Sequence, residues 1–366
     1  MLPERVLMGP GPSDVYPEVL AAMAQPTIGH LDPAFVEFMD ALNESLRKAF
    51  KTENRVTLPI SAPGSAGMEC AFVNLLEPGE KVIIAANGVF GGRMMENARR
   101  CGAEPVAVEF DWGTPVDPNV VEETLKSHPD ARVLAFVHSE TSTGVRSDAK
   151  ALCALARQYD CLSIVDAVTS LGGIELRVDD WGIDAIYSGT QKCLSAPPGL
   201  SPVSFNEAAM AKVQARTSPV QSWFLDLNLL TGYWGPGTKR AYHHTAPINS
   251  LFALGAALDI LHHEGVENSW ARHAGNHQKL RDGLQAMELE LFVEPEYRLP
   301  QLNAVNVPEG VDEAGVRSHL LNEFSLEIGA GLGPMAGKIW RIGLMGASST
   351  QRHVDICLEA LVSALD

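Results

Sequence analysis

Between residues 56 and 187 short apolar runs alternate with stretches of helical spacing, and no other feature of the chain constrains its fold as strongly. The runs fall at Val56–Ile60, Lys81–Ala86, 105–110, 133–138, Leu162–Asp166 and Ala185–Tyr187. Helical patterns over 67–76, 92–101 and 149–159 lie between them. The runs are apolar almost throughout rather than at alternate positions. That pattern belongs to strands covered on both faces, so the spacing predicts a mainly parallel α/β sheet between helices. Ligands of such sheets sit beyond the carboxyl ends of the strands.

The pattern changes after residue 250. Helices are expected over 250–263, 266–287, 312–324 and 350–364, with strands at 289–293, 304–307, 326–328 and 339–344. This order predicts a smaller α+β C-terminal domain with an antiparallel sheet. The first 14 residues hold Pro3, Pro10, Pro12, Gly9 and Gly11. They cannot be helix or central strand and read as an extended arm. Pro33–Phe50 has apolar residues at helical spacing. The expected division is an arm at 1–20, a large domain at 21–260 and a small domain at 261–366.

Composition narrows the partners. With 366 residues and 46% hydrophobic content the chain can bury a large core. A formal net charge of −17 disfavours nucleic acid and anionic membranes. No apolar run approaches the roughly 20 residues of a membrane helix. The N-terminus has no apolar signal core, and six scattered cysteines without CxxC read as reduced thiols, so a cytoplasmic location is expected.

The chemistry gathers at 184–200, DAIYSGTQKCLSAPPGL. Lys192 follows a strand end and is pinned by Pro197 and Pro198. A loop lysine is ordinarily a solvated charge. Asp166, at the end of an earlier strand, changes that reading. A lysine amine can form a Schiff base with a cofactor aldehyde, and a carboxylate can keep a proton on a pyridine nitrogen. Pyridoxal phosphate enzymes need these two groups.

The segments Gly9-Pro-Gly-Pro-Ser13, Ile28-Gly-His-Leu-Asp-Pro33, Ser142-Thr-Gly-Val145, Val165-Asp-Ala-Val168, Ser188-Gly-Thr-Gln-Lys192, Tyr242-His-His-Thr245 and Arg341-Ile-Gly-Leu344 occur in this order. Together they resemble the class V, fold-type I aminotransferases, most closely the alanine–glyoxylate and serine–glyoxylate enzymes. The resemblance implies a seven-stranded-type sheet, bound pyridoxal 5'-phosphate and a homodimer with a shared active site. It also implies Val168 packed on one face of the cofactor ring, Phe90 stacked on it, and a cofactor contact from Thr141. Gln191 resembles a phosphate ligand, and Tyr242 and Thr245 resemble residues that reach the neighbouring subunit's phosphate. Trp223, Phe224, Tyr233 and Trp234 would otherwise be exposed, which fits an interface.

Other residues are read against a plainer alternative. Gly64 and Ser65 lead from a strand into a helix, whose N-terminus suits phosphate, although Pro63 removes a donor. Arg341, on an alternating strand, is either a solvated arginine or a bidentate clamp for a substrate carboxylate, and its motif favours the clamp. His243-His244, His262-His263 and the pair His273 and His277 lack a companion acidic ligand, so they read as surface or capping residues and no metal site is expected.

The expected function is transfer of an amino group from alanine or serine to glyoxylate or another small 2-oxo acid. Two rival activities are pyridoxamine–pyruvate aminotransferase and a class V lyase or cysteine desulfurase. The first needs no phosphate cradle. The second needs a mobile cysteine, whereas Cys357 lies in a helical pattern. A non-catalytic cofactor-binding protein would not need Lys192, Asp166 and Arg341 together.

Overall fold

In the computed structural model, which describes residues 3–235 and 240–365, the alternating segment forms one seven-stranded sheet. Its strands are β1 (Val56–Ile60), β2 (Lys81–Ala86), β3 (Glu104–Glu109), β4 (Ala131–Val137), β5 (Leu162–Asp166), β6 (Ala185–Tyr187) and β7 (Ser201–Phe205). Their spatial order is β1-β7-β6-β5-β4-β2-β3. All neighbours are parallel except β7, which runs against both β1 and β6. The chain steps from β2 outward to β3, then back across β2 to β4, so the sheet switches direction between β2 and β4. In open sheets of this kind, ligands bind beyond the carboxyl ends of the strands near such a point.

Strand β7 is absent from the pattern read in the sequence. Ser201-Pro-Val-Ser-Phe205 carries a proline, which normally argues against an interior strand. Here Pro202 sits directly opposite Pro59 of the edge strand, and its carbonyl accepts from the Ser188 N–H at 2.8 Å. The helix expected from residue 67 starts at Gly64 and runs to Leu75, and the one expected from residue 92 starts at Val89.

The C-terminal region holds a three-stranded antiparallel sheet of β8 (Leu302–Asn306), β9 (Gly329–Ala330) and β10 (Ile339–Gly343), with β10 central. The strand expected over 289–293 does not form. Only an isolated bridge, Leu291 to Val305, marks it. The arm is not wholly irregular: Val6–Leu7 pairs in parallel with Leu326–Glu327, and Pro17–Met23 is helical. One apolar core collects residues from Phe35 to Val266. A second collects Leu280 to Leu361 and takes in Met8 of the arm. The long helices Ile248–Glu264 and Val266–Ala286 meet at Gly265 between the two cores.

Candidate active site

Asp166 ends β5 and Tyr187 ends β6 beside it. The Asp166 carboxylate is 3% exposed. Its Oδ1 accepts from the Val168 N–H at 2.9 Å and its Oδ2 from the Tyr187 hydroxyl at 2.9 Å. Burial pushes its pKa up to about 6, against the pull of both hydrogen bonds and of the nearby Lys192 and Arg93 charges.

Lys192 reaches its place by a tight turn. The Ser195 N–H donates to the Lys192 carbonyl at 3.1 Å, and the Ser13 hydroxyl donates to the same oxygen at 2.8 Å. The amine donates to the Pro10 carbonyl of the arm. Gly11 crosses directly over it with φ 103°, where a Cβ would lie 2.6 Å from Nζ. No side chain fits between arm and lysine. Burial, then the positive charge of Arg341, lowers the amine to about 8. A lysine so placed supplies a neutral amine within reach of physiological pH, as nucleophile or proton carrier.

Arg341 lies in β10 and is 7% exposed. Its Nε donates to the Ala330 carbonyl at 2.7 Å and its Nη1 to the Thr141 carbonyl at 3.1 Å. Burial lowers its pKa to about 10 while Glu140 raises it, so the guanidinium stays charged at neutral pH. Two of its five N–H donors are tied down, and the rest of the fork remains for a ligand.

The helix Gly64–Leu75 begins against this cluster. A Cβ on Gly64 would lie 3.3 Å from Val168 Cγ2 and 3.4 Å from the Ser188 carbonyl. Pro63 is the N-cap and stands outside the helix. Having no N–H it adds no donor at that end, while the first-turn N–H groups of Gly64 and Ser65 have no intrahelical carbonyl to meet. The Gln191 amide oxygen is buried without a partner. A polar atom left unmatched beside a free helix N-terminus fits a phosphate held there, since the amide can rotate its NH2 end into the same place.

Phe90 is half-buried at the start of the helix Val89–Arg100, with the Arg93 guanidinium 4.8 Å from its ring centre. Thr141 is buried, its hydroxyl 3.0 Å from that of Thr169. Between these two loops sits Glu140, which the sequence reading passed over. Its carboxylate is fully buried and accepts from the Ser142 N–H at 3.0 Å, the Ser142 hydroxyl at 2.6 Å and the Phe90 N–H at 3.3 Å. Desolvation raises it to about 7. An acid inside an otherwise uncharged strand-end segment, Ser139-Glu-Thr-Ser142, was the available signal. Tyr187 and Pro10 were missed too. Neither residue type announces such a role.

Tyr242 and Thr245 are not brought to this cluster within their own chain. Both are exposed, 3.4 Å apart at their hydroxyls. His244 between them ties the segment back to the Ser61 hydroxyl at 2.7 Å. Of the four aromatics expected to be exposed, Trp223 is 63% exposed, but Tyr233 and Trp234 are buried in their own chain. His273 is not a surface residue. It is buried, and its Nε2 accepts from the Gly346 N–H at 2.9 Å.

A half-buried lysine, a strand-end carboxylate and a buried arginine, gathered beyond the carboxyl ends of this sheet, fit an amino-group-transferring enzyme of the α/β type. The aminotransferase class-V family model matches residues 6–350. The alanine–glyoxylate aminotransferase of Nostoc sp. superposes with a TM-score of 0.98 at 44% identity, over 100% of this chain and 96% of that one. The ureidoglycine–glyoxylate aminotransferase of Bacillus subtilis gives 0.97 at 40%, over 100% and 94%. The pyridoxamine–pyruvate aminotransferase of Mesorhizobium loti gives 0.93 at 30%, over 98% and 91%. The chain belongs to the class-V aminotransferases.

Proposed function

We propose that the protein moves an amino group from a small amino acid, alanine or serine, to glyoxylate or another small 2-oxo acid, using pyridoxal 5'-phosphate. The observation that carries the substrate reading is one buried clamp, Arg341, fixed by Ala330 and Thr141 beside Lys192. When bound, the cofactor supplies an electron sink that lets the substrate α-carbon release a proton. Asp166 holds a proton on the ring nitrogen. Gly64, Ser65 and Gln191 hold the phosphate, Phe90 and Val168 bracket the ring, and Thr141 lines its edge. The Lys192 amine carries the proton to and from the α-carbon, while Arg341 orients the substrate carboxylate.

Tyr242 and Thr245 are read as phosphate ligands for the other copy in a homodimer, because both stand exposed around His243, on which the exposed Trp223 stacks. Six free cysteines, all buried, support a reducing, cytoplasmic setting. Among the described residues no helix is long and apolar enough to cross a membrane. The free helix N-terminus favours a phosphorylated cofactor over the pyridoxamine reaction, and the buried Cys357 speaks against a desulfurase.

The test is kcat/KM for glyoxylate, pyruvate and 2-oxoglutarate with alanine or serine as donor. A second carboxylate buried without a partner costs several kcal/mol, so discrimination of roughly a hundredfold against 2-oxoglutarate is expected. If 2-oxoglutarate is the best acceptor, or pyridoxamine the best donor, the substrate assignment fails.

A further inference from the structure

We propose that Tyr187 is a positioning residue for the amino transfer, its hydroxyl keeping the Asp166 carboxylate ionised and aimed at the ring nitrogen. The inference rests on the role given to Asp166 above. Asp166 and Tyr187 are direct register partners on the parallel strands β5 and β6. Paired residues in such a ladder project to the same face, so the contact follows from the sheet itself. Tyr187 is fully buried, and its hydroxyl donates to Oδ2 at 2.9 Å. A Cβ on Gly67 of the adjoining helix would lie 3.0 Å from the Tyr187 Cβ, which places helix backbone against the base of the side chain.

The charged groups around the carboxylate explain why the donor matters. Glu140 faces the Asp166–Tyr187 pair from the loop after β4 as a like charge, while Lys192 and Arg93 attract from the loop after β6 and from the helix after β2. Burial is the largest influence and favours the protonated acid. Among the described residues two fixed donors oppose it directly, the Val168 N–H and the Tyr187 hydroxyl. Remove the hydroxyl, and the acid gains a proton in the range where the enzyme must work. A neutral carboxyl cannot balance a protonated ring nitrogen.

Tyr187→Phe keeps the ring and its packing while deleting the donor. The expected result is a cofactor affinity of the apoprotein lowered about tenfold, with the acid limb of kcat/KM moved up by about one pH unit. Placed in an Asp166→Asn background, the same substitution is expected to leave cofactor affinity unchanged, because the group it acts through is gone. Unchanged affinity and an unmoved acid limb in Tyr187→Phe overturn the proposal. So does an equal loss of affinity in the Asp166→Asn background, which would mean that the tyrosine acts by packing alone. Asp166→Asn measured by itself separates the two readings. If it stays within a few-fold of the parent, the role of Asp166 fails, whatever Tyr187 does.

Discussion

Arg341 donates from Nη1 to the carbonyl of Thr141 at 3.1 Å, joining residues 200 positions apart in the chain. The bond ties the central strand of the C-terminal sheet to the loop after β4, at the switch point of the large sheet. The arginine is thus aimed by backbone atoms of both parts of the molecule. Its geometry depends on a fork that meets two acceptors and still presents donors outward.

An ammonium cannot reproduce that fork. Arg341→Lys is expected to lower kcat/KM for every amino and oxo acid by roughly tenfold to a hundredfold, through weaker carboxylate binding. Initial rates over a donor and acceptor panel check it. An effect confined to one substrate would place the arginine elsewhere than on the shared carboxylate.

Lys192→Ala is expected to abolish turnover and the visible absorbance of lysine-bound cofactor. Non-covalent retention should persist through the helix N-terminus and Asp166. Absorbance spectra before and after gel filtration separate the two effects, and an active variant would remove the central assignment.

Glu140 gives a pH prediction with a definite sign. Its folded pKa, about 7, lies above the unfolded value. The folded state therefore holds the proton more tightly, and the stability this confers is lost as pH rises from about 4.5 to 7. Glu140→Gln should flatten the fall of the apoprotein's melting temperature over that window. A thermal melt series at constant ionic strength checks it; an unchanged slope would mean that this carboxyl does not titrate there.

Tyr242→Phe should weaken cofactor binding several-fold, although Tyr242 makes no hydrogen bond to the Lys192 cluster of its own chain among the described residues. Sedimentation should find a dimer. A fully active monomer saturated with cofactor would rule out the shared site.

The legible parts of this molecule were those in which one residue type does one job. Asp166 and Lys192 stand where apolar strands end, and a strand end is easily read. Six of the seven strands of the large sheet announced themselves by unbroken apolar runs. β7 did not, because Pro202 is tolerated only through its pairing with Pro59, a relationship between segments far apart in sequence. Glu140 and Tyr187 were hidden for the same reason. A buried acid or phenol has its meaning from partners on other strands. The start of the helix after Pro63 was hidden for a local reason: its first turn, Gly64-Ser-Ala66, lies outside the apolar spacing, so the helix begins three residues earlier than that spacing implied.

The arm makes the order of synthesis matter. Val6–Leu7 pairs with Leu326–Glu327, the Met8 carbonyl accepts from the Gly343 N–H at 2.6 Å, and Asp14 meets His353 at 2.9 Å. Among the first residues to leave the ribosome, these find their partners among the last. Earlier in synthesis the arm has only its bonds to the lysine turn, from Ser13 to Gln191, Lys192 and Ser195. The large sheet can assemble first, and the outer pairing of the arm closes last. A nascent chain stalled before residue 320 should therefore carry a folded sheet whose arm is held at the lysine turn alone.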